Sequence, residues 1–89
     1  MADKSLRIVN EKGLHARASA KFVEVVEAHA AQAVVSKDGM TVSGDSIMGL
    51  LMLAASRGTI IEVSTSGTEA DPLAEALESL VANRFGEDF

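Results

Sequence analysis

The sequence has 89 residues, a formal net charge of −5 at pH 7 and no cysteine. This length fits one small domain over residues 1–89, and the negative charge argues against nucleic acid or an anionic membrane surface as a partner. The missing cysteines exclude a disulfide frame, a thiolate zinc site and a thiol redox couple. No signal peptide is evident, and the longest apolar run, 47–55, is too short to cross a bilayer. We therefore expect a cytoplasmic protein.

The first half of the chain is predicted to contain three strands and one long helix. Hydrophobic periodicity predicts a strand at residues 5–9 and, after a turn, an amphipathic helix at 16–29. Residues 33–37 and 40–43 are predicted strands, because the Asp-Gly pair at 38–39 is a strong signal for a two-residue type I′ hairpin turn. The apolar face of the helix is expected to hold Ala18, Phe22, Val25, Val26 and His29.

The second half is predicted to contain a short helix, a strand and a final helix. Ser46 is the natural amino-terminal cap of the short helix at residues 47–53. The β-branched stretch 59–66 predicts the strand. Pro72 suits the first turn of the final helix, and Gly86 is predicted to mark its end. The buried stripe of that helix is expected to comprise Leu73, Ala76, Leu77, Leu80 and Val81.

The predicted order of elements is therefore β-α-β-β-α-β-α, an α+β pattern. A single sheet with its helices on one face would bury every apolar stripe in two layers. Local pattern alone does not determine the order of the strands in that sheet.

The stretch GLHARAS at 13–19 places His15 at the junction between the first strand and the first helix. The first N–H groups of a helix have no intrahelical partner, and the helix dipole is positive there. An anion near His15 would meet those groups together with Arg17. Because imidazole is also a nucleophile, these residues suggest a phosphate carried on His15. The alternative is that His15 is an ordinary surface histidine and Gly13 only a turn residue.

The stretch at 13–19 resembles the active-site signature of the histidine phosphocarrier (HPr) family, which belongs to the bacterial phosphoenolpyruvate-dependent phosphotransferase system. The stretch DSIMGL at 45–50 is similar to the regulatory-serine segment of that family. The likeness covers essentially the whole chain. It implies a two-layer open-faced sandwich in which a four-stranded antiparallel sheet, in the order 1-4-2-3, carries three helices on one face.

The resemblance also implies a function. His15 would accept a phosphoryl group on Nδ1 from phosphorylated enzyme I and pass it to IIA-type acceptor domains. Arg17 and the N–H groups of Ala16 and Arg17 would hold the phosphoryl oxygens. The chain would be a monomeric carrier that other phosphotransferases use as their substrate, rather than an enzyme by itself. It would need no metal and no cofactor.

The short helix at 47–53 carries two further expectations. Beyond its capping role, Ser46 would be a site of regulatory phosphorylation by an HPr kinase/phosphorylase, although Asp45 replaces the basic residue that many relatives have there. The added charge is tolerated at a helix amino terminus and would act by repelling an acidic docking surface. Residues assigned to the core are Ile47, Leu50 and Leu53. Residues assigned to a partner-docking patch are Met48, Leu51 and Met52.

Two departures from the family pattern and two alternative functions complete the predictions. Ala18 and Ala54 stand where many relatives have proline and glycine, and Ala54 is expected to tighten the end of the second helix.

One alternative is a regulatory paralogue, such as the nitrogen-branch phosphocarrier, which controls other proteins. The other is a non-catalytic adaptor in which residues 13–19 are merely a capped helix start.

Overall fold

Four strands and three helices make up the computed structural model, which describes all residues from 1 to 89. The strands form one antiparallel sheet in which the first strand of the chain is followed by the fourth, the second and the third, which confirms the predicted open-faced sandwich. None of the helices has the length and hydropathy that a membrane-spanning helix needs. The elements are β1 (Ala2–Arg7), α1 (Ala16–Glu27), β2 (Gln32–Lys37), β3 (Met40–Ser43), α2 (Ile47–Met52), β4 (Ile60–Ser66), α3 (Ala70–Ala82) and a 3₁₀ turn (Arg84–Gly86).

The two faces of the sheet differ because successive side chains of a strand point in opposite directions. Along β4, Ile61 and Val63 are buried, whereas Ile60 and Glu62 are exposed. The buried face packs against the helices to form one continuous core. The largest fully buried apolar side chains of this core are Phe22, Phe85, Ile8, Leu50, Ile61, Leu73 and Leu77.

The hairpin between β2 and β3 has the predicted turn. Lys37 and Met40 are the last paired residues of the two strands, so the loop contains two residues. These residues, Asp38 and Gly39, have φ of 51° and 85°. Both values lie in the left-handed region that a type I′ turn requires.

β1 lies at residues 2–7, so the predicted strand at 5–9 was displaced by about half its length. Pairing with β4 runs from Ala2↔Thr65 to Arg7↔Ile60. The first half of β1 is polar and lies at a sheet edge, so it lacked an apolar signal. Ile8 still exchanges backbone hydrogen bonds with the segment before β4, since its N–H donates to Thr59 O at 2.8 Å and its carbonyl oxygen accepts from Gly58 N at 2.7 Å.

The first helix is two residues shorter than predicted, and its buried face is shifted. His29 lies beyond the end of α1, where its Nδ1 donates to the carbonyl oxygen of Val25 at 2.7 Å. Ser19 and Val23 are buried, whereas Val25 is only partly buried. The assignment of His29 to the apolar face was therefore wrong, because the helix ends before residue 29. Val25 is less buried than predicted but still packs against the core.

The core assignment of Ile47 was also wrong. Leu50 and Leu53 are buried, but 40% of Ile47 is exposed. At 3.6 residues per turn, each step of three residues rotates a position by about 60° backwards around the helix axis. Residues 47 and 53 are therefore about 120° apart, too far for a helix this short to bury both.

The final helix ends at Ala82, four residues before Gly86, so Gly86 does not mark its end. Arg84, Phe85 and Gly86 instead have φ of 56°, 55° and 79°, and this left-handed run returns the Phe85 side chain into the core. The predicted stripe needs correction as well, since Ala76 and Leu80 are only partly buried. The buried residues of α3 are Ala70, Leu73, Ala74, Leu77 and Val81.

Ala54 is strained rather than tightening the end of α2. Its φ of 51° lies in the left-handed region, which glycine usually occupies just after a helix. We expect Ala54→Gly to raise the free energy of unfolding by about 0.5–1 kcal/mol. Glycine relieves the strain in the folded chain, and this gain exceeds the cost of the greater conformational entropy that glycine gives to the unfolded chain. Urea denaturation measures the change in the free energy of unfolding. The control is Ala76→Gly inside α3, which should destabilise the fold by about 0.5–1 kcal/mol. Destabilisation by both glycines would contradict the assigned strain.

Candidate functional site

His15 is the amino-terminal cap of α1. Its backbone is extended, with φ −81° and ψ −175°, and its carbonyl oxygen accepts the hydrogen bond from Ser19 N at 2.8 Å. The ring Nδ1 accepts a hydrogen bond from Arg17 N at 3.2 Å. An acceptor atom in this position satisfies one of the free N–H groups at a helix start. Nδ1 therefore faces the amino terminus of α1.

Gly13 holds the His15 loop against the segment that follows α2. Its φ is +69°, and a Cβ atom built on it would lie 2.5 Å from Ala55 O and 2.9 Å from Ser56 Cα. The next residue, Leu14, donates its N–H to the same Ala55 oxygen at 2.9 Å. Only glycine combines this left-handed backbone with so close an approach. Gly13 is thus both a turn residue and a packing contact.

Arg17 is exposed beside His15, and its guanidinium forms no hydrogen bond or ion pair with another residue. His15 and Arg17 line an open depression of about 650 Å³. Its lining also includes the basic residues Lys12 and Lys21 and the acidic residues Glu11, Glu87 and Asp88. The depression therefore carries both signs of charge, and the unpaired guanidinium of Arg17 is available to an anion.

Glu87 and Asn10 are site residues that sequence reasoning missed. The ring Nε2 of His15 is paired with the Glu87 carboxylate. Asn10 is fully buried, and its Nδ2 donates both to the other Glu87 oxygen, at 3.0 Å, and to Gly13 O, at 2.8 Å. His15 therefore has a protein partner on each ring nitrogen.

The environment of Glu87 favours its ionised form. Burial raises the pKa of Glu87, but the hydrogen bonds from Asn10 and His15 and the charges of His15 and Lys12 together lower it below its ordinary value. A carboxyl group whose pKa is lower in the folded chain than in the unfolded chain stabilises the fold at pH values above its pKa in the unfolded chain. This contribution is lost as the pH falls through the lowered pKa.

No local pattern could have revealed Glu87, which is 72 residues from His15. It lies in a tail, defined here as residues 84–89, that returns across the start of α1. Lys21 Nζ donates to Phe85 O at 2.7 Å, and Glu11 N donates to Phe89 O at 3.0 Å. These bonds, with the buried Phe85 ring, keep the tail beside His15.

The residues of α2 that were predicted to act in regulation and docking lie at its start and on its exposed surface. Ser46 caps the helix, since its Oγ accepts from Gly49 N at 3.0 Å. Met48, Leu51 and Met52 are 71%, 37% and 64% exposed. α2 packs against α1, and Ala55 beyond it contacts the His15 loop. Ser46 lines no part of the depression around His15.

Comparison with known proteins identifies the family. A family model described as "PTS HPr component phosphorylation site" matches residues 2–83. The chain belongs to the HPr family. It is accordingly a phosphocarrier of the phosphotransferase system.

Individual HPr proteins agree with this identification. Phosphocarrier protein HPr of Neisseria meningitidis serogroup A is 44% identical over 87 residues, which cover 98% of each chain. HPr of Pseudomonas aeruginosa is 43% identical over 83 residues, 92% of each chain. The crystal structure of HPr from Thermoanaerobacter tengcongensis superimposes with a TM-score of 0.95 at 35% identity, with full coverage of both chains.

Proposed function

We propose that this chain accepts a phosphoryl group on Nδ1 of His15 from phosphorylated enzyme I and passes it to IIA-type acceptor domains. The observation that carries the proposal is the orientation of the His15 ring, whose Nδ1 meets the N–H of Arg17 at the start of α1. A phosphoryl group on Nδ1 would lie where helix N–H groups and the dipole favour an anion.

The transfer requires one bond to form and one to break. The Nδ1 lone pair of neutral His15 attacks the phosphorus in line, and the bond between phosphorus and the donor nitrogen of enzyme I breaks. The electron pair of that bond returns to the donor imidazole. Because the transition state is loose, positioning and charge stabilisation dominate. Arg17 and the N–H groups of Ala16 and Arg17 are suited to stabilise the three phosphoryl oxygens, since all lie at the open end of α1.

A phosphorylation assay tests this proposal. The protein is incubated with phosphoenolpyruvate, magnesium and an active bacterial enzyme I, and its intact mass is measured. One acid-labile phosphate is expected, and fragmentation should locate it at His15. His29 is the internal control, because it is the other histidine of the chain and its Nδ1 is bonded to Val25 O. No phosphate, or phosphate at His29, would contradict the proposal.

The proposal extends to where and in what form the carrier works. A monomer in the cytoplasm, folded as one domain over residues 1–89, is what a shuttle between enzyme I and IIA-type domains requires. The single continuous core supports the one-domain assignment. Analytical ultracentrifugation of the wild-type chain tests the monomeric state.

We also propose that α2 is the docking surface for these partners. Its exposed Met48 and Met52 side chains are flexible and apolar, which suits a surface that meets several proteins. Ser46, at the start of the same helix, is proposed as a regulatory phosphorylation site for an HPr kinase/phosphorylase. Phosphate there would add about −1.5 to −2 charges beside the docking surface and would repel acidic partners.

Met48→Asp is expected to raise the KM of enzyme I for this chain by about 10-fold, equivalent to about 1.4 kcal/mol of binding, with the fold intact. A desolvated carboxylate in an apolar interface is the physical reason. Initial rates of phosphorylation measure the effect. Met40→Asp is the matched control, because Met40 is another exposed methionine but lies on β3. Equal KM values for the two variants would reject α2 as the docking surface.

A further inference from the structure

We infer that Glu87 is a positioning residue for His15, held in place by the buried amide of Asn10. Both residues lie outside the signature at 13–19, and Glu87 lies beyond residues 2–83 that the family model matches. This inference rests on the proposed function, because it concerns how His15 is prepared for transfer.

The first step concerns the tautomer of His15. An ionised carboxylate can only accept a hydrogen bond, so Nε2 must carry the proton that joins it to Glu87. Arg17 N can only donate, so Nδ1 must present its lone pair. In the neutral ring, the two contacts together select one tautomer, with the proton on Nε2 and the nucleophilic lone pair on Nδ1.

The second step concerns what holds Glu87. Asn10 Nδ2 bonds to both Glu87 Oε1 and Gly13 O, so one buried amide joins the tail to the His15 loop. The Oδ1 atom of the same amide is buried with no hydrogen-bond partner. An unsatisfied buried oxygen is costly, and the fold tolerates it while both N–H bonds are made. The Asn10 amide is therefore oriented by its two acceptors rather than by its own oxygen.

The third step concerns the product. Phosphorylation at Nδ1 leaves the proton on Nε2 and gives the ring a positive charge. Glu87 already faces that nitrogen, so the charge appears beside a carboxylate that needs no rearrangement. Preorganised charge of this kind acts without a reorganisation cost during the transfer. The same carboxylate fixes the ring plane. Carboxylates that orient metal-ligating histidines in the same way typically contribute about 10–100-fold to affinity or activity, which sets the scale expected here.

The experiment compares the wild-type chain with Glu87→Gln, Glu87→Ala and the control Asp88→Asn. Asp88 lines the same depression and loses the same charge, but it makes no hydrogen bond to His15. The first readout is the tautomer of His15, measured from ring nitrogen chemical shifts in the unphosphorylated protein. Wild type and Asp88→Asn should show protonated Nε2 and unprotonated Nδ1. Glu87→Ala should show a several-fold larger share of the form protonated on Nδ1.

The second readout is the rate of phosphorylation by enzyme I. We expect Glu87→Ala to lower kcat about 10-fold while KM changes less than about 2-fold, with Glu87→Gln in between because its amide oxygen still accepts a hydrogen bond. A change in KM alone, or equal behaviour of Glu87→Ala and Asp88→Asn in both readouts, would overturn the inference. Failure of the wild type to be phosphorylated would contradict the proposed function instead. The tautomer measurement would then decide the positioning role by itself.

Discussion

A chain with His15→Ala is expected to take up no phosphate from phosphoenolpyruvate and enzyme I, whereas His29→Ala is expected to be phosphorylated like the wild type. The reason is chemical, because alanine offers no nucleophile at the start of α1. His29, in contrast, lies beyond the end of the helix and uses its Nδ1 in a bond to Val25 O. Intact-mass measurement over time gives the extent and rate of phosphorylation for each variant.

Loss of the helix cap needs to be separated from loss of the nucleophile. Removing a capping side chain typically costs about 1 kcal/mol, which could loosen the start of α1. His15→Asn avoids this problem, since asparagine is a strong cap that can still accept from Arg17 N. It should remain unphosphorylated while its thermal unfolding stays close to that of the wild type. Phosphate on either His15 variant would show that another residue is the acceptor.

Gly13→Ala is expected to lower the free energy of unfolding by about 2–5 kcal/mol, the sum of left-handed strain and overpacking. The added methyl group would lie 2.5 Å from the backbone oxygen of Ala55, and a backbone atom cannot move aside as cheaply as a flexible side chain. We also expect slower phosphorylation, because the displaced atoms belong to the loop that carries His15. Denaturant unfolding and the phosphorylation assay measure the two effects.

Gly39→Ala provides the matched control for this substitution. Gly39 also has a positive φ, 85°, but no atom beyond its two chain neighbours lies within 4 Å of a Cβ built on it. We therefore expect Gly39→Ala to lower the free energy of unfolding through left-handed backbone strain alone, by about 1–2 kcal/mol. Its rate of phosphorylation should equal that of the wild type. If Gly13→Ala cost no more than Gly39→Ala, the contact with Ala55 would contribute nothing, and the assigned role of Gly13 would be wrong.

The features that could be predicted from the sequence are those that interactions between nearby residues specify. The hairpin turn is set by two adjacent residues, and the cap of α2 by the Ser46 hydroxyl, so both were predicted. The His15 signature lies within seven consecutive residues, so its resemblance to the HPr family could be recognised from the sequence. The polar half of β1 was missed because its partner, β4, lies more than fifty residues away along the chain.

The tail was missed for the same physical reason. Three consecutive residues with positive φ, only one of them glycine, return Phe85 to the core. Sequence pattern does not predict such a run, because the buried ring and the hydrogen bond from Lys21 to its carbonyl oxygen stabilise it from outside the segment. Glu87 and Asn10 meet as a consequence of that return, so neither could be recognised as a site residue alone.

The hydrogen bond from Leu14 N to Ala55 O has a consequence for how this protein can vary. It joins the loop that carries His15 to the segment that follows α2, so under the proposed docking role of α2 this one hydrogen bond links partner recognition to the reactive histidine. A substitution at residues 54–56 that alters the fit to a partner would also move the backbone beneath His15. Energetic effects of changes at Gly13 and at this segment should therefore be non-additive. Under the proposed docking role of α2, substitutions on its exposed side should change partner affinity with less effect on His15 than substitutions at residues 54–56.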